Sequence, residues 1–329
     1  MTERHNPLQP YLGRLAGTKE MAKDIKLFQI ELEDGQQFDY RPGQFAFISA
    51  FGVGEAPFGL ASSGERSHVL EFAVNRLGTV TDALHKMEPG AVVGVRGPLG
   101  NGFPLDSIKG KNVVVLGGGI GGAPLRPVIH SILDDRDEYG DLTILWAARS
   151  PDLLVFSDEY DDWINAPDTT LHVTVDAGDE GWTGNVGLIT QLLEQVAPSP
   201  ADTVAIICGP PIMIKFTILT LEKLHFEPEQ ILMTLEAKMK CGIGKCGRCN
   251  TAASCPGSAW QWTSGSTPMK RPRVKKGFNR LYIVTACFNA WYRGLAGSLT
   301  PPMPRCRQVE AYHQNASIRS LSCPQWMCR

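Results

Sequence analysis

Three cysteines stand close together in MKCGIGKCGRCN: Cys241, Cys246 and Cys249, spaced C-x4-C-x2-C. Three thiolates on one short loop repel one another unless a metal gathers them, and this spacing is that of the plant-type [2Fe-2S] loop. Gly242, Gly244 and Gly247 let the backbone wrap tightly and aim N–H groups at sulfur, which stabilises the negative charge added on reduction. Zinc also accepts four thiolates. Zinc loops more often pair two C-x2-C units, so spacing and glycines together favour a cluster. A fourth ligand is required, and the nearest cysteine is Cys255, separated from Cys249 by five residues and followed at once by Pro256. Its proximity makes it the candidate, although loop geometry does not follow from spacing.

A second chemistry-bearing segment is NVVVLGGGIGGAPLRPVI, an apolar strand running into a glycine-rich turn and then a helix. Gly118, Gly119 and Gly121 fall where a backbone would approach a pyrophosphate, held by N–H groups and a helix N-terminus. The same residues also suit an ordinary strand-to-helix turn. IICGPPIM puts Cys208, Gly209 and Pro210 at the end of another strand, and ligands gather beyond the carboxyl ends of parallel strands. Alone, Cys208 reads as a small buried hydrophobe; the Gly-Pro-Pro turn beside it argues for an exposed, ligand-facing position. Arg149 reaches the same edge, either to meet the adenosine phosphate of a dinucleotide or as a solvated arginine, and it does not choose NADP over NAD.

Upstream, VNRLGTVTDALH places Gly78, Thr79, Val80 and Thr81 at a helix start, where free N–H groups and hydroxyls can hold a diphosphate. Thr81-Asp82 equally reads as an unremarkable helix start. RGPLGNGFPL reads mainly as turns. No His or paired-carboxylate constellation suggests hydrolysis. The seven histidines are scattered, and His85 and His130 read as surface or packing residues rather than ligands.

The elements that must position these residues fall into two patterns. From Lys26 to about Gly97, IKLFQIELEDG, QFAFISA, HVLEFAVN and AVVGVRGP are short β-rich runs between turn residues, spaced as in a small antiparallel barrel, with one helical interruption at Thr81 to Met87. From Lys111, NVVVLGGG, DLTILWAA, LHVTVDAG, DTVAIICGP and QILMTLE alternate with helical stretches such as GLITQLLEQV and KFTILTLEKLHF. Such alternation predicts a parallel, doubly wound sheet covered by helices. The expected division is a barrel over residues 1–106, a nucleotide-binding α/β domain over 107–235, a cysteine loop over 236–250 and a separate tail over 251–329.

At 329 residues the chain is long enough for two domains. With 43% hydrophobic residues, 20% charged residues and a formal net charge of -2, its composition is neither disordered nor membrane-spanning, and no basic excess points to nucleic acid. MTERHNPLQP has no apolar run and no stretch approaches 18 apolar residues, so a cytoplasmic location is expected. In that compartment disulfides are disfavoured.

These averages conceal a break after Asn250. The last 79 residues carry 11 Lys and Arg against the single acid Glu310, and hold five of the nine cysteines and four of the seven tryptophans.

Taken in order, RPGQF, EAPFGLASS, GTVTDALH, RGPLGNGFP, GGGIGGAPLRPV, CGPPIM and MKCGIGKCGRC resemble the ferredoxin-NADP reductase superfamily over about residues 8 to 250. The resemblance is closer to the FAD/NAD-binding gamma subunits of sulfhydrogenase-type NiFe hydrogenases and of anaerobic sulfite reductase. Dihydroorotate dehydrogenase electron-transfer subunits look similar too. It implies that Pro57, Phe58, Gly59, Leu60, Ala61, Ser62 and Ser63 line FAD, with Asn75, Arg76 and Gly78 to Thr81 at its ribityl-phosphate part. Gly118, Gly119 and Gly121 would take the NAD(P) pyrophosphate, Cys208 to Pro210 would lie near the nicotinamide, and Cys241, Cys246 and Cys249 would ligate the cluster.

The implied activity is electron transfer between NAD(P)H, FAD and [2Fe-2S], serving a catalytic subunit and an iron-sulfur subunit of a larger oxidoreductase. Two departures stand out. The usual R-x-Y-S flavin motif appears as Ala56-Pro57-Phe58-Gly59, without its arginine and serine, and nothing like the family's YVCxDGPVF segment follows Asn250. The second departure, with the acid-poor composition, makes a frame-shifted or disordered tail the expectation, against a rival reading as a genuine basic extension carrying KRPRVKK.

Overall fold

The computed structural model describes residues 6–64, 66, 69–234 and 239–246, and the backbone of 282–284. Six strands, β1 (Tyr11–Ala22), β2 (Ile25–Leu32), β3 (Phe45–Ala50), β4 (Gly54–Gly59), β5 (Leu70–Asn75) and β6 (Val92–Leu99), form one sheet in the order β4-β3-β6-β1-β2-β5. All of their pairings are antiparallel. Alternating side chains such as Phe28 and Ile30, Phe72 and Val74, and Val93 and Val95 point to a shared core. The helix α1 (Thr79–His85) contributes Leu84 to it.

The segment after β4 closes this sheet on itself. Leu60 donates its N–H to the Gln44 carbonyl at 3.0 Å and Ala61 to the Glu71 carbonyl at 2.8 Å, so the chain leaving β4 bridges to β5. Closure satisfies backbone groups that an open edge would leave unpaired.

The second sheet is parallel: β7 (Asn112–Gly118), β8 (Leu142–Ala148), β9 (Thr169–Val175), β10 (Asn185–Val186), β11 (Thr203–Cys208), β12 (Ile231–Thr234) and β13 (Tyr282–Val284). Both faces are covered, as parallel sheets require. On β7, Val113 and Val115 pack with α2 (Arg126–Asp134) and α3 (Tyr160–Ile164). Val114 and Leu116 join the core shared with α4 (Ile189–Val196) and α5 (Pro211–Lys223).

The order β10-β9-β8-β7-β11-β12-β13 reverses direction at β7. The carboxyl ends of β7 and β11 therefore flank a topological switch point, the place where open α/β sheets bind ligands.

Several expectations shift. β1 and β4 extend the barrel beyond the four anticipated runs, and α1 starts at Thr79 rather than Thr81. The glycine-rich turn continues into a 3₁₀ turn, Gly119–Gly122, and α2 begins only at Arg126, after Pro124 has interrupted the backbone donors. Within the tail, Tyr282–Val284 adds a parallel strand beside β12, so disorder is not a description of those three residues. The frame-shift expectation for the rest of the tail, and Cys249 and Cys255, lie outside the described residues.

Candidate functional site

The crevice at the switch point is built on close backbone approaches. A Cβ on Gly121 would lie 2.7 Å from both the Cys208 carbonyl oxygen and Gly209 Cα, so the turns after β7 and β11 touch only because no side chain intervenes. Gly117 and Gly122, which sequence reasoning left aside, make room for the buried Trp146 ring, and Gly118 does the same for Met213. Gly119 differs from all of these. It has φ +55° and no atom within 4 Å of where a Cβ would be, so its backbone faces open space at the switch point. Of the three glycines predicted to meet a pyrophosphate, Gly118 and Gly121 have packing reasons of their own.

Cys208 corrects an expectation. Its side chain is fully buried, not exposed, because it ends a strand flanked by β7 and β12 and accepts the Thr234 hydroxyl at 3.0 Å. Gly209 and half-buried Pro210 carry the strand end into the crevice, where Gly209 also meets Met213. Arg149 sits exposed just past β8, at the same edge.

On the barrel side, β4 approaches this crevice directly: a Cβ on Gly59 would lie 3.2 Å from Pro124 Cβ. Four side chains in the predicted flavin segment are already used by the fold. Phe58 and Leu60 belong to the barrel core, and Ala61 packs into the core under α2. The Ser62 hydroxyl lies 2.7 Å from the Tyr40 hydroxyl and accepts the Glu71 N–H at 3.0 Å. Burial pushes the Tyr40 phenol up to about 12, with the bond to Ser62 pulling the other way. Ser63 is buried and its carbonyl accepts the Arg66 N–H. What Pro57 to Ser63 leaves for a ligand is chiefly backbone.

Asn75 ends β5 opposite Ile25, and Arg76 donates from Nε to Asp82 at 2.8 Å. Bonds from Lys86 and Arg76 hold the exposed Asp82 carboxyl below its ordinary range. Thr81 Oγ1 accepts N–H bonds from Leu77 at 2.9 Å and Gly78 at 2.8 Å, which fixes the entry to α1. Gly78 itself is extended and surrounded by open space, and Val80 packs near Gly54. Thr79 opens the helix. His85, packed on Phe28 and bonded to the Val74 carbonyl at 2.9 Å, is a packing residue as expected.

The cysteine loop seats on the outer side of the barrel. Met239 and Ile243 pack against Phe45, Phe47 and Leu99. Gly242, at φ +70°, approaches so closely that a Cβ would lie 2.8 Å from both Phe47 and Leu99. Cys246 donates its backbone N–H to Cys241 Sγ at 3.4 Å. Burial raises the Cys241 thiol, but the N–H groups of Cys246, Ile243 and Lys245 outweigh it and bring it down to about 7. A sulfur ringed by backbone donors suits a thiolate ligand of a cluster.

Two arginines escaped sequence reasoning. Arg96 on β6 is buried, pairs with Glu55 at 2.7 Å, lies 4.2 Å from the Phe47 ring centre and donates to the Cys241 carbonyl at 2.8 Å. Arg126 at the start of α2 ties the two sheets together: it meets Glu71 of β5 at 2.5 Å, Glu159 at 2.6 Å and the Ala61 carbonyl at 2.9 Å. Buried His130 bonds Glu159 at 2.8 Å. The only advance signal for Arg126 was its place one turn past the glycines. This network lines a cleft of about 590 Å³ that includes none of Gly118 to Gly122 or Cys208 to Pro210.

Among the described residues no helix is long and apolar enough to cross a membrane. An oxidoreductase FAD-binding domain family matches residues 13–103 and an oxidoreductase NAD-binding domain family matches residues 115–218. The sulfhydrogenase 1 gamma subunit of Pyrococcus furiosus is 34% identical over 275 residues, covering 82% of this chain and 93% of the relative. A probable dihydroorotate dehydrogenase B (NAD(+)) electron transfer subunit of Methanocaldococcus jannaschii is 31% identical over 73% of this chain and 83% of its own length. Among solved structures, an NADH-dependent reduced ferredoxin-NADP oxidoreductase described for flavin-based electron bifurcation superposes with a TM-score of 0.59 at 25% identity, over 76% of this chain and 83% of that one. Barrel, doubly wound sheet, switch-point glycines and these likenesses converge: the chain belongs to the FAD- and NAD-dependent oxidoreductases of ferredoxin-NADP reductase type, in the electron-transfer subunit family that includes the sulfhydrogenase gamma subunits.

Proposed function

We propose that this chain moves electrons between a nicotinamide, FAD and a [2Fe-2S] cluster on behalf of a catalytic subunit of hydrogenase or sulfite reductase type, with an iron-sulfur subunit as a further partner, in the cytoplasm. The observation that carries the reading is the position of β4. Its residue Gly59 abuts Pro124 beside the glycine-rich turn, while its residue Pro57 pairs with Phe47, the ring on which the cysteine loop rests. One strand thus borders both ends of the proposed electron path.

FAD held here would supply the chemistry that joins a two-electron hydride donor to a one-electron acceptor, and that chemistry belongs to the cofactors. The protein's part is placement. Backbone from Pro57 to Ser63 lines the flavin, and Gly78 to Thr81, with Asn75 and Arg76 nearby, hold its phosphate portion; Thr81 fixes the turn there by accepting the Leu77 and Gly78 amides. Open backbone at Gly119, flanked by Gly118 and Gly121, receives the dinucleotide pyrophosphate, with Arg149 at the adenosine end. Gly209 and Pro210 face the nicotinamide, and Cys208 supports them from below through its bond with Thr234. Cys241 and Cys246, with Cys249 and the candidate Cys255, hold the cluster. No acid-base side chain is needed for hydride transfer. The barrel spans residues 1–106, the nucleotide domain 107–235 and the cluster loop 236–250.

The same geometry serves a dihydroorotate dehydrogenase electron-transfer subunit, favoured by the likeness to the Methanocaldococcus relative; the catalytic subunit that co-purifies separates the two. The test is anaerobic purification, a visible spectrum, iron and sulfide analysis, and EPR after reduction by NADH or NADPH. Flavin with two irons and a reduced [2Fe-2S] signal is expected. Flavin without iron reduces the protein to a flavin reductase module, a remnant cut off from its partner, and absence of both chromophores overturns the reading.

A further inference from the structure

We propose that Arg96 is the positioning residue that clamps the cysteine loop to the barrel, and that its buried charge increases the loop's affinity for an added electron. This rests on the reading of the loop as the cluster site. Arg96, Phe47 and Pro57 are consecutive cross-strand neighbours, Arg96 pairing with Phe47 between β6 and β3 and Phe47 with Pro57 between β3 and β4. Neighbouring strands lie about 4.8 Å apart, so this row runs from beneath the loop to the proposed flavin strand in two steps.

Each end of the guanidinium is committed. Nε and Nη2 grip Glu55 at 3.1 and 2.7 Å, the plane lies over Phe47, and Nη1 donates to the carbonyl of Cys241 at 2.8 Å. The side chain is only 4% exposed. Burying a cation is costly, and a neutral donor would hold a carbonyl at less cost. What a neutral donor lacks is a positive charge, offset only in part by Glu55, on the backbone of the very residue whose sulfur must tolerate more negative charge, and hydrogen bonds and charge near such sulfurs set how readily a cluster is reduced. Gly242 completes the seat, since a Cβ there would lie 2.8 Å from both Phe47 and Leu99.

The test compares the full chain, purified anaerobically, with Arg96→Gln and Arg96→Lys. Hydrogen exchange of the amides of residues 242–246 reads the clamp, and an EPR-monitored redox titration reads the charge. Losing a charge-assisted hydrogen bond to the loop should speed exchange about tenfold in Arg96→Gln. Losing the charge should lower the reduced-to-oxidised ratio at fixed poise about tenfold, a shift near 59 mV for one electron. Arg96→Lys should loosen the loop with a smaller shift in potential, and it carries the exchange test alone should Arg96→Gln not fold. Unchanged exchange in the variants overturns the clamp, whether or not iron is bound. Faster exchange in a protein whose wild type holds no iron supports the clamp and removes the cluster reading, so the two ideas fail separately.

Discussion

Gly121 and Gly209 meet backbone to backbone: a methyl group on Gly121 would lie 2.7 Å from Gly209 Cα. Neither turn has a flexible side-chain tip at that contact that can yield. Gly121→Ala is therefore expected to destabilise the chain by about 1–3 kcal/mol, the usual cost of overpacking, and to raise KM for the nicotinamide. Urea unfolding and steady-state kinetics check the two effects, and an unchanged urea midpoint would show that the turns can separate freely.

A different contact holds the two sheets together. Arg126 lies between Glu71 and Glu159, with all three side chains 15% exposed or less. Replacing it by Gln leaves Glu71 without its cation and Glu159 with His130 alone, and breaking a buried pair in this way costs about 3–5 kcal/mol. Arg126→Gln should lower the urea midpoint accordingly. Arg14→Gln, whose pair with Glu33 is solvent-exposed on the arginine side, should change it by about 1 kcal/mol or less.

The same network predicts an acid limb. Burial pushes Glu159 up, but the His130 bond and the Arg126 charge outweigh it and hold the carboxyl below its ordinary value of 4.5. A carboxylate depressed in the folded state contributes its full stability above the unfolded value and loses it as pH falls through the folded one. Urea midpoints of the wild type should therefore begin to decline as pH drops below about 4.5, and Glu159→Gln should remove that part of the slope. Equal slopes in the two proteins would assign the acid limb to other groups.

Thr81→Val keeps the volume at the start of α1 and removes the acceptor for the Leu77 and Gly78 amides. Unsatisfied donors cost about 1–3 kcal/mol. With the entry to α1 no longer fixed by Thr81 Oγ1, FAD affinity should fall by roughly tenfold to a hundredfold, measurable by fluorescence titration of the apoprotein. Val92→Ala, at the exposed start of β6, serves as the comparison.

Periodicity carried much of the architecture. IKLFQIEL alternates sides and is β2, and the apolar runs from Val113 to Ile207 are buried on both faces, as the parallel sheet demands. β1 was hidden because YLGRLAGTKEMA mixes glycines and charges while pairing with two neighbours, and β4 because Pro57 interrupts GEAPFG without a strand signal. At the site, local sequence showed where backbone bends but not what bends around it. Trp146 determines why Gly117 and Gly122 are glycine, yet the ring arrives from the next strand. Cys208 read as exposed because its neighbours are turn residues; the hydroxyl that covers it comes from Thr234, 26 positions later. Arg96 and Arg126 were invisible for the same reason, since each acts on groups distant in the chain.

The central place of β7 also governs how the protein comes to exist. Its partner β11 pairs Thr203 with Asn112, so the two walls of the crevice are separated by about ninety residues of chain. Contacts between residues so far apart form slowly, since a long loop must close before they reward it. On the ribosome, the barrel can close once Leu99 has emerged, whereas Gly121 must wait for Gly209. During that interval the edge of β7 that will receive β11 has no strand beside it, so the nucleotide crevice is completed only once the chain as far as Gly209 has been made.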